Sequence, residues 1–411
     1  MSTPPRFRGW FVAWTAFTIA VFAWGAGFYG PPVFLEILHA TRGWPIATIA
    51  SAITAHFLLS AAIIIYLPEI HGRLGVASTT ILGVLLTAVG LLAWAGAREP
   101  WHLFAAAVPS GIGWAVTSGA ALNAMIAPWF DRERPKAMSL AFNGASIGGV
   151  VFVPLWLVLI ERFGFLSAAM VIGAAAILTV GTLAAVFLRG GPEHVGQHPD
   201  GLAQPAAPQH DAPPRSRSAL MRDWRFITLS AAFALALFAQ IGVLAHLITR
   251  LAAPLGIGAA GAAVSLATLC AVIGRTATGW WIGDCDRRVA AAMNFLLQAA
   301  GVVLLAFGAT APMLWLGCLL FGLGIGNLTS LPPLIAQREF DRADVAGVVA
   351  LVVAINQATF ALAPAVFGAL RDWTSDYRAA FALAAIVQIG AALIVVTGRG
   401  QRVGGRRVAI R

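Results

Sequence analysis

Residues 265–288 read SLATLCAVIGRTATGWWIGDCDRR: a mostly apolar run with one arginine at position 275, closing on a loop of two aspartates and two arginines. A helix needs about 20 apolar residues to cross the hydrocarbon core of a bilayer. Comparable windows recur along the chain at 10–37, 46–67, 76–97, 102–127, 137–160, 165–188, 224–249, 258–282, 289–309, 312–336, 345–370 and 379–397. With 59% of the 411 residues hydrophobic, 11% charged and a mean hydropathy of +0.82, the composition excludes a soluble fold. Strands of a membrane barrel would alternate apolar and polar over about ten residues. These windows are instead apolar all round and rich in Ala, Leu, Gly and Val, so the expected fold is an all-α membrane protein of 12 transmembrane helices. The first window is too long for a signal peptide and is expected to stay as a span.

The net charge of +10 is distributed by topology. Of the Lys and Arg residues, 20 fall in the two ends and the even-numbered loops, 6 fall in the odd-numbered loops, and Arg275 falls in neither. By the positive-inside rule both termini are expected in the cytoplasm, with the protein in the bacterial inner (plasma) membrane. No nucleic-acid partner is expected; a small solute and membrane lipid are, around a monomer. The cysteines, Cys270 and Cys318 inside windows and Cys285 in a loop, form no disulfide framework or metal-ligand spacing. No metal or cofactor is expected: GLGIG at 322–326 lies inside a hydrophobic window with no preceding strand, and no Walker motif occurs.

Between the sixth and seventh windows lies RGGPEHVGQHPDGLAQPAAPQHDAPPRSRS, Arg189 to Ser218, which has no hydrophobic periodicity and reads as a flexible linker. The expected organisation is an N-terminal six-helix bundle over 1–188, a cytoplasmic linker over 189–222, a C-terminal six-helix bundle over 223–398 and a basic tail over 399–411. A trace of duplication supports it: Phe130-Asp131-Arg132 and Phe340-Asp341-Arg342 are each followed, 24 positions after the Phe, by a proline, Pro154 and Pro364. Two six-helix halves joined in this way are the layout of transporters that rock around a midplane site.

A charge at the centre of a spanning helix costs about 2.5–3.5 kcal/mol on insertion scales, so such residues usually face a cavity. None of the 17 acids falls near a midplane. Arg275 does, since it stands nine positions before Asp284, roughly 13 Å along a helix. Thr268, Thr278 and Gly279 share its helical face, and its planar fork suits a carboxylate. The competing reading is a structural arginine bonded to carbonyls of a neighbouring helix. Asn123, Asn143, Asn327, Asn356 and Gln357 outline a polar cavity, or serve as interhelical glue. Tyr29, in GFYGPP, adds a phenolic hydroxyl. His56, Glu69 and His71 are the titratable candidates for carrying a proton.

The layout resembles the major facilitator superfamily over essentially the whole chain, and its details resemble the monocarboxylate and oxalate/formate branch. The residues that carry this are RGWFVAWTAF, GFYGPPVFL and RGWPIATI around the first two windows, APWFDRERPKAMSLAFNGASIGG between the fourth and fifth, and GWWIGDCDRR after the eighth. The resemblance implies that Arg275 holds a substrate carboxylate, with Tyr29 an aromatic near the substrate cavity. Three departures are visible. Gly72 stands where the loop motif has an acid, Ala271 stands where family members often carry an acid four residues before the arginine, and the eleventh window lacks a lysine. The missing acid puts proton coupling through that pair in doubt, and one buried cation favours a monoanion over a dianion.

The sequence thus reads as a secondary transporter, not an enzyme, moving a small organic monocarboxylate by alternating access, either with a proton or by exchange. Asp284 with Arg287 and Arg288, and Asp131 with Arg132 and Arg134, are expected to latch one conformational state. Efflux of hydrophobic or cationic compounds or metalloids on the same fold is the alternative; a drug exporter would be expected to present a buried acid and an aromatic cavity, and this chain lacks the acid. A non-transporting membrane sensor is a minor one.

Overall fold

The computed structural model describes residues 7–202 and 213–399, and no strand occurs among them. Eleven helices are long and apolar enough to span a bilayer: α1 (Gly9–Arg42), α3 (Val76–Gly96), α4 (His102–Ile126), α5 (Arg134–Phe163), α6 (Phe165–Phe187), α7 (Trp224–Leu255), α8 (Ala259–Trp281), α9 (Arg287–Phe307), α10 (Ala311–Glu339), α11 (Arg342–Arg371) and α12 (Tyr377–Thr397). The twelfth, α2, is a bent pair, Thr48–Ile64 and Leu67–Leu74, turned by 64°. Pro68 stands at the start of the second piece, where it has no N–H to continue the first. The bundle is that of an integral, multi-pass membrane protein. The face carrying Phe7, Arg399 and the even-numbered loops is called here the terminus-bearing face.

Several helices break at the same depth. In α1 a π-turn runs over Trp24–Phe28, with Tyr29 N–H reaching back to the Trp24 carbonyl at 2.8 Å. Pro31 and Pro32 supply no N–H to the carbonyls four residues earlier, Gly27 and Phe28, so the regular ladder cannot run through this point. Helix α4 breaks at Ser118, which adopts extended backbone. Helix α10 breaks at Gly326, ahead of Pro332 and Pro333, and α11 at Ala361–Leu362, ahead of Pro364. Pro154, by contrast, sits within α5 without interrupting it.

The core shows how the halves meet. Toward the terminus-bearing face a single apolar cluster joins them, from Val12 and Phe142 to Phe233, Phe295 and Val348. Toward the opposite face the core divides in two, one cluster around Phe34, Trp94 and Trp156 and the other around Phe321, Phe367 and Phe381. A shared core at one end and separate cores at the other are what a two-half transporter has when it is closed on one face.

Segment 189–202, expected as free linker, is folded back onto the body. Asp200 accepts backbone N–H groups of Asp131, Arg132 and Glu133 at 3.2, 2.8 and 3.3 Å. Gln197 accepts the backbone N–H of Arg8 at 2.9 Å. A short helix, Arg217–Arg222, resumes the chain before α7. Single acids and amides, invisible to a composition reading, anchor what Pro and Gly content alone marks as loose. Most of the remaining linker, and the basic tail from residue 400, lie outside the described residues.

Helices α8 and α10 approach closely enough that a Cβ on Gly274 would lie 1.9 Å from the Leu323 carbonyl oxygen, a backbone atom that cannot swing away. Gly261, on the same helix, faces open space. Gly274→Ala is therefore expected to cost about 1–3 kcal/mol, read as a lowered melting temperature of the purified protein, while Gly261→Ala leaves it unchanged or slightly raised.

Candidate functional site

Where the helices break, a cavity of about 130 Å³ lies between the halves. From the N-terminal half it is lined by Trp24, Phe28 and Tyr29 of α1, Trp114 and Ser118 of α4, and Phe142 and Ser146 of α5. From the C-terminal half come Gln240 of α7, Arg275 of α8, Thr329 of α10, and Asn356, Gln357 and Phe360 of α11.

Arg275 is 3% exposed and held from both halves. Its Nε donates to the Gly326 carbonyl at 2.8 Å, and Nη1 donates to the Phe142 carbonyl, to Asn143 Oδ1 at 3.2 Å and to Ser146 Oγ at 3.3 Å. Gly326 is required by this close approach: a Cβ there would stand 2.9 Å from Arg275 Nε and 2.5 Å from the Ala271 carbonyl oxygen. The two readings of Arg275, carbonyl-bonded and cavity-facing, are thus both realised. Nε and Nη1 are spent on structure. Nη2 makes no hydrogen bond among the described residues, and the Arg275 side chain lines the cavity. No carboxylate among the described residues pairs with this guanidinium, and Ala271 four residues earlier cannot supply one.

The other residues expected at the site divide into three groups. Tyr29, Asn356 and Gln357 line the cavity with Arg275. Asn143 stands behind it, accepting from Arg275 and donating to Thr276 Oγ1 at 2.9 Å. Asn123 and Asn327 lie elsewhere: Asn123 accepts from Arg134 Nη2 at 2.8 Å, and Asn327 donates to Asn294 at 2.9 Å. Gln357 is committed in place, donating to the Phe57 carbonyl and Ser60 Oγ of α2 and accepting from Trp114 Nε1 at 2.8 Å. Sequence reading missed Ser146, Gln240, Thr329 and the rings of Trp24 and Trp114, because one neutral polar or aromatic residue in a spanning helix carries no signal of which face it occupies.

The titratable candidates are outside the cavity lining. His56 is buried against α4, its Nδ1 2.9 Å from Ser110 Oγ, which also accepts from Trp94 Nε1 at 3.1 Å. Glu69 is ion-paired with Arg217 of the linker helix, and His71 lines a separate pocket at the terminus-bearing face.

The expected latch pairs form differently. Asp284 pairs with Arg338 at 2.7 Å rather than with Arg287 or Arg288, and this hydrogen bond holds its carboxyl below the usual carboxylate range. Arg287 donates to the Leu334 carbonyl and to Gln337, while Arg288, 1% exposed, grips Glu339 through Nε and Nη2 at 2.6 and 2.7 Å. All of these lie within the C-terminal half, where neighbouring helix ends offer nearer carbonyls and carboxylates than the loop does. Asp131 makes no hydrogen bond or ion pair with Arg132 or Arg134 among the described residues; it accepts from Gln337 Nε2 across the halves at 3.0 Å. Ties across the halves toward the terminus-bearing face include this one and Lys136 over the Trp280 ring at 5.1 Å. Ser139 Oγ donates to the Arg275 carbonyl at 3.1 Å nearer the midplane, and Arg217 of the linker helix holds Glu69.

Two helical halves around a midplane cavity, with breaks in the lining helices, define a membrane transporter. The sequence profile of the Major Facilitator Superfamily matches residues 13–337 and 248–407, and the chain belongs to that superfamily. The relatives it resembles within that superfamily include proteins named monocarboxylate transporters. It is 27% identical to monocarboxylate transporter 13 of Bos taurus over 331 residues, covering 79% of this chain and 74% of that one. To monocarboxylate transporter 12 of Rattus norvegicus it is 22% identical over 354 residues, covering 79% and 72%. Among solved structures, the human organic anion transporter MFSD10 (TETRAN) superposes with a TM-score of 0.69 at 15% identity, over 96% of this chain and 100% of that one, a likeness of fold.

Gln357→Leu would strand the Trp114 indole N–H, the Ser60 hydroxyl and the Phe57 carbonyl, at about 1–3 kcal/mol for each buried group left unpaired. A melting temperature lowered by several degrees is expected; an unchanged one would show that these ties carry no load.

Proposed function

We propose that the chain moves a small organic monoanion, a monocarboxylate, by alternating access around this cavity. The observation that carries it is Arg275: a guanidinium buried between the halves, pinned by neutral carbonyls, with one nitrogen left toward the cavity and no carboxylate to neutralise it. A buried charge in a low-dielectric site needs a counter-charge, and an anionic solute supplies it. A lipophilic cation meets the wrong sign there, which disfavours the drug-efflux reading. The names of the relatives, monocarboxylate and organic anion transporters, support the anionic reading.

Anion exchange fits this lining better than proton symport, because neither a carboxylate nor an imidazole borders the cavity among the described residues. With the positive-inside count, the terminus-bearing face is assigned to the cytoplasm. The conformation described is then the one closed to the cytoplasm.

Purified protein in liposomes, preloaded with unlabelled acid, is expected to take up labelled monocarboxylate in exchange, with dicarboxylates and lipophilic cations rejected and little dependence on a pH gradient. Arg275→Ala and Arg275→Lys are each expected to cut uptake about tenfold or more, the worth of a charge-assisted hydrogen bond. Lysine fails because its ammonium is a point charge without the planar fork that reaches carbonyls of both halves from separate nitrogens. Unchanged uptake in both variants, with the folded state retained, would overturn the reading.

A further inference from the structure

The cavity opposite Arg275 has an unusual wall. Trp24 and Trp114 meet edge to face with centroids 4.8 Å apart, Trp24 stands 6.1 Å from Phe142, and Phe28 is 6.2 Å from Trp114 and 6.1 Å from Phe360. All five rings line the same space. A short aliphatic acid needs only a small apolar pocket beside its cation, which leucine and valine provide; this chain has that surface too, on the C-terminal half, at Leu237 and Val353. The rings, four from the N-terminal half and Phe360 from α11, offer what aliphatic walls do not, edge-to-face and offset contacts with another ring, worth more than the buried area alone. Size agrees: the cavity of about 130 Å³ is close to the ~150 Å³ apolar cavity that takes up one benzene ring.

Resting on the monocarboxylate reading above, we infer that the substrate class is a one-ring aromatic monocarboxylate, its carboxylate on Arg275 and its ring against the Trp24–Trp114 wall. Binding needs no chemistry beyond these contacts. The cation and the rings converge from five helices, α1, α4, α5, α8 and α11, so the site is assembled only when the halves meet.

The test is calorimetric binding to the purified protein in nanodiscs with three probes: pyruvate, cyclohexanecarboxylate and benzoate. Benzoate is expected to bind about three- to tenfold more tightly than cyclohexanecarboxylate, the fold-change that ring-on-ring contacts supply. Pyruvate or cyclohexanecarboxylate binding as tightly as benzoate, still dependent on Arg275, would overturn the aromatic assignment and leave the monocarboxylate function standing. Loss of Arg275 dependence for every acid would overturn both.

Discussion

The structure turns on a buried cation held without an acid. An arginine at the middle of a membrane protein must be compensated, and the common solution, a carboxylate on the same or a facing helix, is absent here. Carbonyl oxygens do the work instead: Phe142 from one half and Gly326 from the other, with Asn143 and Ser146 adding to the first. Neutral acceptors solvate the guanidinium but leave its charge in place. The cavity therefore keeps a net positive centre, and the same side chain bridges the two halves whose relative motion transport requires. A solute that draws on the free edge of this guanidinium acts on a group that both halves hold, which links occupancy of the site to the arrangement of the bundle.

The helix breaks serve that arrangement. Gly326, at the break of α10, has no Cβ to stand between its carbonyl and Arg275, and the π-turn of α1 and the break of α4 at Ser118 lie where Trp24 and Ser118 reach the same lining. Below this level the terminus-bearing face is shut by a shared apolar core and a few polar ties, each individually modest. Surface ion pairs such as Asp284–Arg338 contribute little on their own. The buried Arg288–Glu339 pair organises the C-terminal half rather than the gate.

Much of this was legible in the chain because a bilayer is a demanding solvent. Helix count, the two-half layout and the depth of Arg275 follow from apolar length and from the rarity of charge inside it. Tyr29, Asn356 and Gln357, which line the cavity, are polar side chains that stand out against such a background. Asn123 and Asn327 stood out equally and belong to packing, since hydropathy gives depth along a helix but not the face, and two more helices compete for every amide. The latch pairs went astray for a related reason: Asp284 and Arg288 are neighbours in sequence, yet Arg338 and Glu339 of α10 lie nearer in space. The linker looked structureless because its anchors, Gln197 and Asp200, are single residues with no periodicity to announce them.

The most direct measurement is a high-resolution structure with a monocarboxylate bound. The carboxylate is expected within hydrogen-bonding distance of Arg275 Nη2, with Nε still on the Gly326 carbonyl and Nη1 still on Phe142. A carboxylate seated away from Arg275, with the guanidinium fully spent on protein carbonyls, would contradict this expectation.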